Sequence, residues 1–246
     1  MAGASVDRDQ VWGGLRDVAR PDSRFHLRFA DFIPDFDGSA RATDRLLAIA
    51  PFAAARHAFV APDNSLIDLR RRLLVAGVTV VVSSYNMARG FYLLDPAAVP
   101  TGHELYAAWL DGIEHFGTPL TLAQLAARGP FDCVATGASA VAASGVRFGR
   151  GHAYFDMEWR IFSAMGLVAE RTPVATLVHD VQLLDKRLYP GPADVLVDWI
   201  CTPTRTLGVP REAPRPRGVP WAEIAPEQID ANPALGELHR ASGLAR

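Results

Sequence analysis

The sequence predicts an α/β protein, a three-layer open sandwich around a mainly parallel sheet, on three observations. Stretches with helical spacing of apolar residues alternate with short apolar runs along most of the chain, the order expected of βα units. The apolar runs are continuous rather than alternating, as strands covered on both faces require. The chain, 246 residues and 49% apolar, is long enough for one large domain with a two-sided core.

The elements follow in order. Residues 39–50 carry Leu46, Leu47 and Ile49 behind Gly38-Ser39 and read as a capped helix. Residues 55–60 read as a strand ending at Pro62. Residues 65–76 place Leu66, Ile67, Leu69, Leu73 and Leu74 around an arginine cluster, with Gly77 as a stop, so they form an amphipathic helix. Residues 78–82 follow it as a buried strand and 91–94 as another. Helices are expected over 103–115, 120–127 and 156–165, and strands over 131–136, 173–178 and 194–201. These elements, residues 1–207, are expected to form one domain. Beyond them, four prolines interleave with Arg211, Arg215 and Arg217, so residues 208–246 are expected to be an arm with short helices docked on that domain.

Charge and composition exclude several classes of function. A formal net charge of −2 lacks the basic surface that a phosphate backbone demands, so nucleic acid is not an expected partner. The most apolar run, residues 73–82, is about half of what a membrane span needs. The first twenty residues have no apolar core of the secretory kind, which predicts a cytoplasmic protein. Cys133 and Cys201 lie in strand-like runs without further thiols or histidines beside them, and are expected to be buried and reduced. The expected partner is a small-molecule substrate. Association into an oligomer stays open.

The most informative stretch is Gly145-Val146-Arg147-Phe148-Gly149-Arg150-Gly151-His152-Ala153-Tyr154-Phe155-Asp156. It follows a strand and opens a helix, so free N–H groups and the positive helix end face the crevice that Arg147 and Arg150 reach. Such a loop can cradle phosphates, although a plain strand-to-helix turn uses glycine equally well.

That block resembles the nucleotide loop of the 5-formyltetrahydrofolate cyclo-ligase family, at Gly145, Arg147, Gly149, Arg150, Gly151, Tyr154 and Asp156. Residues 33–39, 90–96, 136–141, 179–182 and 194–204 are similar to blocks of its methenyltetrahydrofolate synthetase domain-containing branch, in the same order. The resemblance implies a fold like that of sugar-phosphate isomerases and CoA transferases, with ATP and Mg²⁺ as cofactors and a reduced folate as substrate. The implied reaction phosphorylates the formyl oxygen of 5-formyltetrahydrofolate, after which a ring nitrogen closes on the activated carbon to give the 5,10-methenyl product. Catalytic candidates are then Arg147, Arg150, Tyr154 and His179. The nucleotide would meet Arg16 and the loop from Arg147 to Tyr154, including Gly149, Gly151, His152 and Ala153. Asp156 and Asp194 would hold the metal.

Each candidate has a plainer reading. Asp156 suits a helix start as a cap, His179 a hydrogen-bonded structural role, and Tyr154 a buried aromatic. Asp194 and Asp198, four apart on the expected strand, would point to one face, Asp198 serving backbone or an arginine as well as metal. Trp12 stands where the family has a phosphate-binding lysine, while Arg16 keeps the paired arginine. Ala153 replaces a glycine, and its methyl group opposes a left-handed backbone. Three functions therefore stand open: the family's reaction, a repurposed enzyme on the same scaffold performing a cyclisation, condensation or hydrolysis on another metabolite, with or without ATP, and a non-catalytic binding homolog.

Overall fold

The structure, a computed structural model, describes residues 8–151, 153–186, 188–211 and 213–243. Among these, the strands are β1 (His57–Val60), β2 (Thr79–Ser83), β3 (Phe91–Leu94), β4 (Thr118–Leu120), β5 (Cys133–Gly137), β6 (Ala140–Ala142), β7 (Arg147–Phe148), β8 (Val174–Leu177), β9 (Leu183–Leu184), β10 (Trp199–Cys201) and β11 (Thr206–Gly208). The helices are α1 (Arg8–Leu15), α2 (Ser39–Leu47), α3 (Ala50–Ala53), α4 (Ile67–Val75), α5 (Glu104–Ala108), α6 (Leu110–Phe116), α7 (Leu122–Ala126), α8 (Tyr154–Ala164), α9 (Pro226–Ala231) and α10 (Pro233–Ala241).

The main sheet has the order β11-β10-β8-β5-β1-β2-β3-β4. Its five middle strands, β10 to β2, are parallel, and β11, β3 and β4 close the two edges antiparallel. The mainly parallel α/β sheet that the apolar runs imply is therefore present. Residues β7, β6 and β9 form a second, three-stranded sheet that the sequence does not announce, because strands of two or three residues are too short to show a period.

Between sheet and α8 the core is aromatic: Phe162 meets Phe59 at 4.7 Å, Phe91 at 5.0 Å and Phe131 at 5.0 Å between ring centroids. Phe155, Trp159 and Phe162, at helical spacing, hold α8 against that layer and are buried. Both cysteines are free and buried, and burial pushes each thiol up to about 12. No described helix is long and apolar enough to cross a membrane.

Three expected elements differ. The helix expected over 103–115 breaks at Trp109, whose backbone is extended, giving α5 and α6. The helix expected over 39–50 ends at Leu47, and Pro51 sits in the first turn of a separate α3. The last parallel strand begins at Trp199 rather than 194. Its approach is diverted to the glycine loop: Val197 N–H donates to the Gly145 carbonyl, and Val195 N–H to the Asp156 carboxylate. Gly145 permits this closeness, since a Cβ there would lie 2.8 Å from the Val197 carbonyl oxygen. Asp194 and Asp198 consequently do not share one strand face.

The segment beyond residue 207 packs along the sheet and α8. Arg215 is buried over the Trp159 ring, and the Trp159 indole donates to the Pro216 carbonyl. Ala234 and Leu235 of α10 join the same core as the sheet, and Glu237 accepts from the Leu122 N–H at the start of α7.

Candidate active site

Three parallel strands end at one place. The residues following β1, the last residues of β2 and of β5, and the start of α8 line an open cleft with a volume of about 80 Å³. A crevice at the carboxyl edge of a parallel sheet is where such folds bind ligands. Phe32, Tyr85, Met87, Tyr154 and Phe155 form apolar walls, and the floor carries Asp63, Glu158, Asp156, Arg147 and Arg150.

The two arginines are held differently. Arg147, on β7, pairs with Asp156 at 2.8 Å and lies 4.2 Å from the centre of the Phe155 ring. Its side chain is 6% exposed, yet its Nε is buried without a hydrogen-bond partner among the described residues. Arg150 reaches across the cleft, donating to the Asp31 carbonyl at 2.8 Å and to the Asn86 amide oxygen at 2.5 Å. Its guanidinium lies 5.2 Å from the Tyr85 ring and 5.5 Å from the Tyr154 ring. Arg150 thereby ties the loop before α8 to the opposite wall.

Ala153 immediately precedes α8 and has φ 51° and ψ 29°, the left-handed conformation that its family glycine would adopt freely. The alanine holds this left-handed conformation at a cost of about 1–2 kcal/mol. It supplies no side-chain cap, so the open N–H groups of the first turn face the cleft. Asp156 caps none of them. It binds Arg147 and the Val195 N–H instead, which sets aside the plain capping reading.

Two acids on the floor were not singled out from sequence. Glu158 is 2% exposed and hydrogen-bonded to Ser83, and burial pushes its carboxyl up to about 8, with Asp63 and Asp156 adding to the rise and Ser83 opposing it. A signal existed: Phe155, Glu158, Trp159 and Phe162 share one helical stripe, so a glutamate stands within a core face. Asp63 is likewise raised by burial, against the Gly137 N–H and the charges of Arg150, Arg70 and Arg147.

The remaining candidates lie elsewhere. Arg16 is exposed just past α1 and does not line the cleft, and Trp12 packs into the small apolar cluster of Val11, Leu15 and Phe29. His179 follows β8, where Nδ1 accepts from the Val181 N–H and the ring meets Phe36 edge-on, a structural cap rather than a cleft residue. Burial holds its pKa below the ordinary histidine value. Asp194 closes its own turn by accepting from the Gly191 N–H, and it is absent from the cleft lining because the chain before β10 is not strand. Gly149 lines the cleft. Gly151 is exposed with φ 104°, and His152 lies outside the described residues.

A magnesium ion carried by nucleotide phosphates needs one or two protein carboxylates, the remaining positions being phosphate and water. Asp156 fits that share, its second oxygen making no hydrogen bond among the described residues. No group of three or more potential ligands occurs among those residues. The partnerless Arg147 Nε beside the uncapped helix start fits an anionic phosphate.

The fold and the cleft together define a class: an α/β protein with a cleft at the carboxyl edge of a parallel sheet, lined by two arginines and an uncapped helix start. The comparisons narrow it. A model of the 5-formyltetrahydrofolate cyclo-ligase family matches residues 8–203, and the chain belongs to that enzyme family. It is 31% identical over 239 residues to the methenyltetrahydrofolate synthase domain-containing protein of Homo sapiens, covering 94% of this chain and 60% of that protein. The protein of the same description from Mus musculus is 30% identical over 236 residues, with 94% and 62% covered. The chain thus spans about 60% of the length of the human relative. The NMR structure of Aquifex aeolicus 5,10-methenyltetrahydrofolate synthetase superposes with a TM-score of 0.51 at 15% identity, over 84% of this chain and 92% of that one, a likeness of fold.

Proposed function

We propose that the chain is an ATP- and Mg²⁺-dependent cyclo-ligase that converts 5-formyltetrahydrofolate to 5,10-methenyltetrahydrofolate. The observation that carries this reading is the meeting of Arg147, with its unpartnered Nε, the uncapped start of α8 and the Asp156 carboxylate in one cleft. Phosphoryl transfer asks for positioning and charge stabilisation more than for covalent chemistry. Arg147 and Arg150 would neutralise the moving phosphoryl group and orient it, and the N–H groups before and within the first turn of α8 would receive its oxygens. Asp156 would hold Mg²⁺, which supplies further neutralisation of phosphate charge. Tyr85, Tyr154 and Phe155 would stack on the flat ring system and exclude water.

A second reading, a repurposed enzyme acting on another metabolite, is favoured by one observation: Arg16 and Trp12, at the family's two phosphate-contacting positions on the first helix, do not line the cleft. The test is a spectrophotometric assay for the methenyl product from 5-formyltetrahydrofolate, with and without ATP and Mg²⁺. ATP-dependent product supports the first reading. Binding of the folate without product, by calorimetry, would transfer the weight to the second.

A further inference from the structure

Among the described residues lining the cleft, Asp63 is the carboxylate that makes no hydrogen-bonded pair with an arginine and keeps partial exposure. Oδ2 accepts from the Gly137 N–H at 2.8 Å, while Oδ1 makes no hydrogen bond among the described residues. The position is built for this side chain. A Cβ on Gly137 would lie 2.9 Å from the Asp63 side chain, so the glycine leaves the room that Asp63 fills. Beneath it Arg70, fully buried on α4, donates to the carbonyls of Ala61 and Asp63, and to that of Ala108 on α5. A buried cation is thus used to fix the backbone that presents Asp63.

The competing acids are committed otherwise: Asp156 to Arg147 and the Val195 N–H, and Glu158 to Ser83 in the interior. His179 is outside the cleft. We propose that Asp63 is the base that removes the proton from the ring nitrogen that attacks the activated formyl carbon. This inference rests on the cyclo-ligase reading above. The nitrogen lone pair forms the new C–N bond, the N–H proton passes to Asp63 Oδ1, and the C–O bond to the phosphorylated oxygen then breaks, releasing phosphate and leaving the amidinium product. ATP supplies the phosphoryl group, and no oxidant or reductant is needed.

Asp63 is faced by Arg70 from α4, Arg147 from β7, Arg150 from the following loop and Glu158 from α8. Burial outweighs the three cations and lifts its carboxyl above the usual aspartate range. Protonation on lowering pH therefore removes the base, and the acid limb of the rate profile lies above that of an ordinary aspartate.

The experiment compares unmodified protein, Asp63→Asn and Asp63→Ala in the methenyl assay across pH, with melting temperatures recorded alongside. Asparagine can still accept from the Gly137 N–H. The expected result is a kcat lowered at least about a hundredfold in Asp63→Asn, with KM within about threefold and the acid limb gone. Added formate should restore part of the rate of Asp63→Ala. An Asp63→Asn rate within about threefold of the unmodified protein, or an unchanged acid limb, would overturn the assignment while leaving the cyclo-ligase reading intact. Unmodified protein that binds 5-formyltetrahydrofolate but forms no methenyl product would overturn that reading, and the role of Asp63 with it.

Discussion

Two buried arginine–aspartate pairs show how the same chemistry serves opposite ends in this molecule. Arg215 and Asp198 meet at 2.6 Å beneath the C-terminal segment, and Arg147 and Asp156 at 2.8 Å in the cleft. Arg215 is saturated: Nε donates to the Leu196 carbonyl, one terminal nitrogen to the carbonyls of Glu170 and Thr172, and the other to Asp198. Its aspartate also receives the Val174 N–H and Arg211. Among the described residues Arg147 has one ion-pair partner and an Nε without a hydrogen-bond partner, with an open cleft beside it. A charge whose donors are all satisfied by its own chain holds structure together; one with donors left over beside an open cleft has capacity for a ligand.

The comparison breaks first, and with the largest effect, at Arg215. Arg215→Ala leaves Asp198 partly buried with fewer donors and frees the arm from the sheet, so unfolding in urea should show a loss of about 3 kcal/mol. Nucleotide affinity measured on the remaining folded protein should be unchanged. A variant as stable as the parent would mean that saturation of donors does not mark a structural pair here.

Glu158 sharpens the contrast through pH. Its folded pKa, about 8, lies above the ordinary value of 4.5, so the folded state holds a proton that the unfolded chain releases. Stability from this group is complete below about 4.5 and is lost as pH rises through about 8. Glu158→Gln should flatten that decline, and its melting temperature should exceed the parent's most clearly above pH 8. Parallel curves for the two proteins would show that Glu158 is ionised in the fold.

The fold was legible where residues answer to local rules. Continuous valines in β2, the Gly77 stop after α4 and the arginine-bearing loop before α8 announce themselves in one dimension. The site was half legible for a related reason. Arg147, Arg150, Tyr154 and Asp156 sit within ten residues of each other, so a motif could carry them. Asp63 comes from the first βα turn and meets Gly137 at the end of β5 only because β1 and β5 are neighbours in the sheet. The strand expected from Asp194 onward was read from apolar composition, but Val195 and Val197 bond to Asp156 and Gly145 instead of extending the ladder.

A smaller effect belongs to Ala153. Ala153→Gly should relieve the left-handed strain and raise stability by about 0.5–1 kcal/mol, the glycine's greater unfolded freedom offsetting part of the gain. A small rise in melting temperature checks it. A fall would show that the alanine methyl contributes packing worth more than the strain.

The central claim is that the cleft at the start of α8 receives the phosphates. Calorimetric titration of ATP with Mg²⁺ into unmodified protein and into Arg150→Ala tests it most directly. Loss of a charge-assisted contact predicts affinity at least about tenfold weaker, together with a stability loss of about 1 kcal/mol from the broken bonds to Asp31 and Asn86. Equal affinity in the two proteins, both folded, would contradict the claim and move the nucleotide site away from residues 147–156.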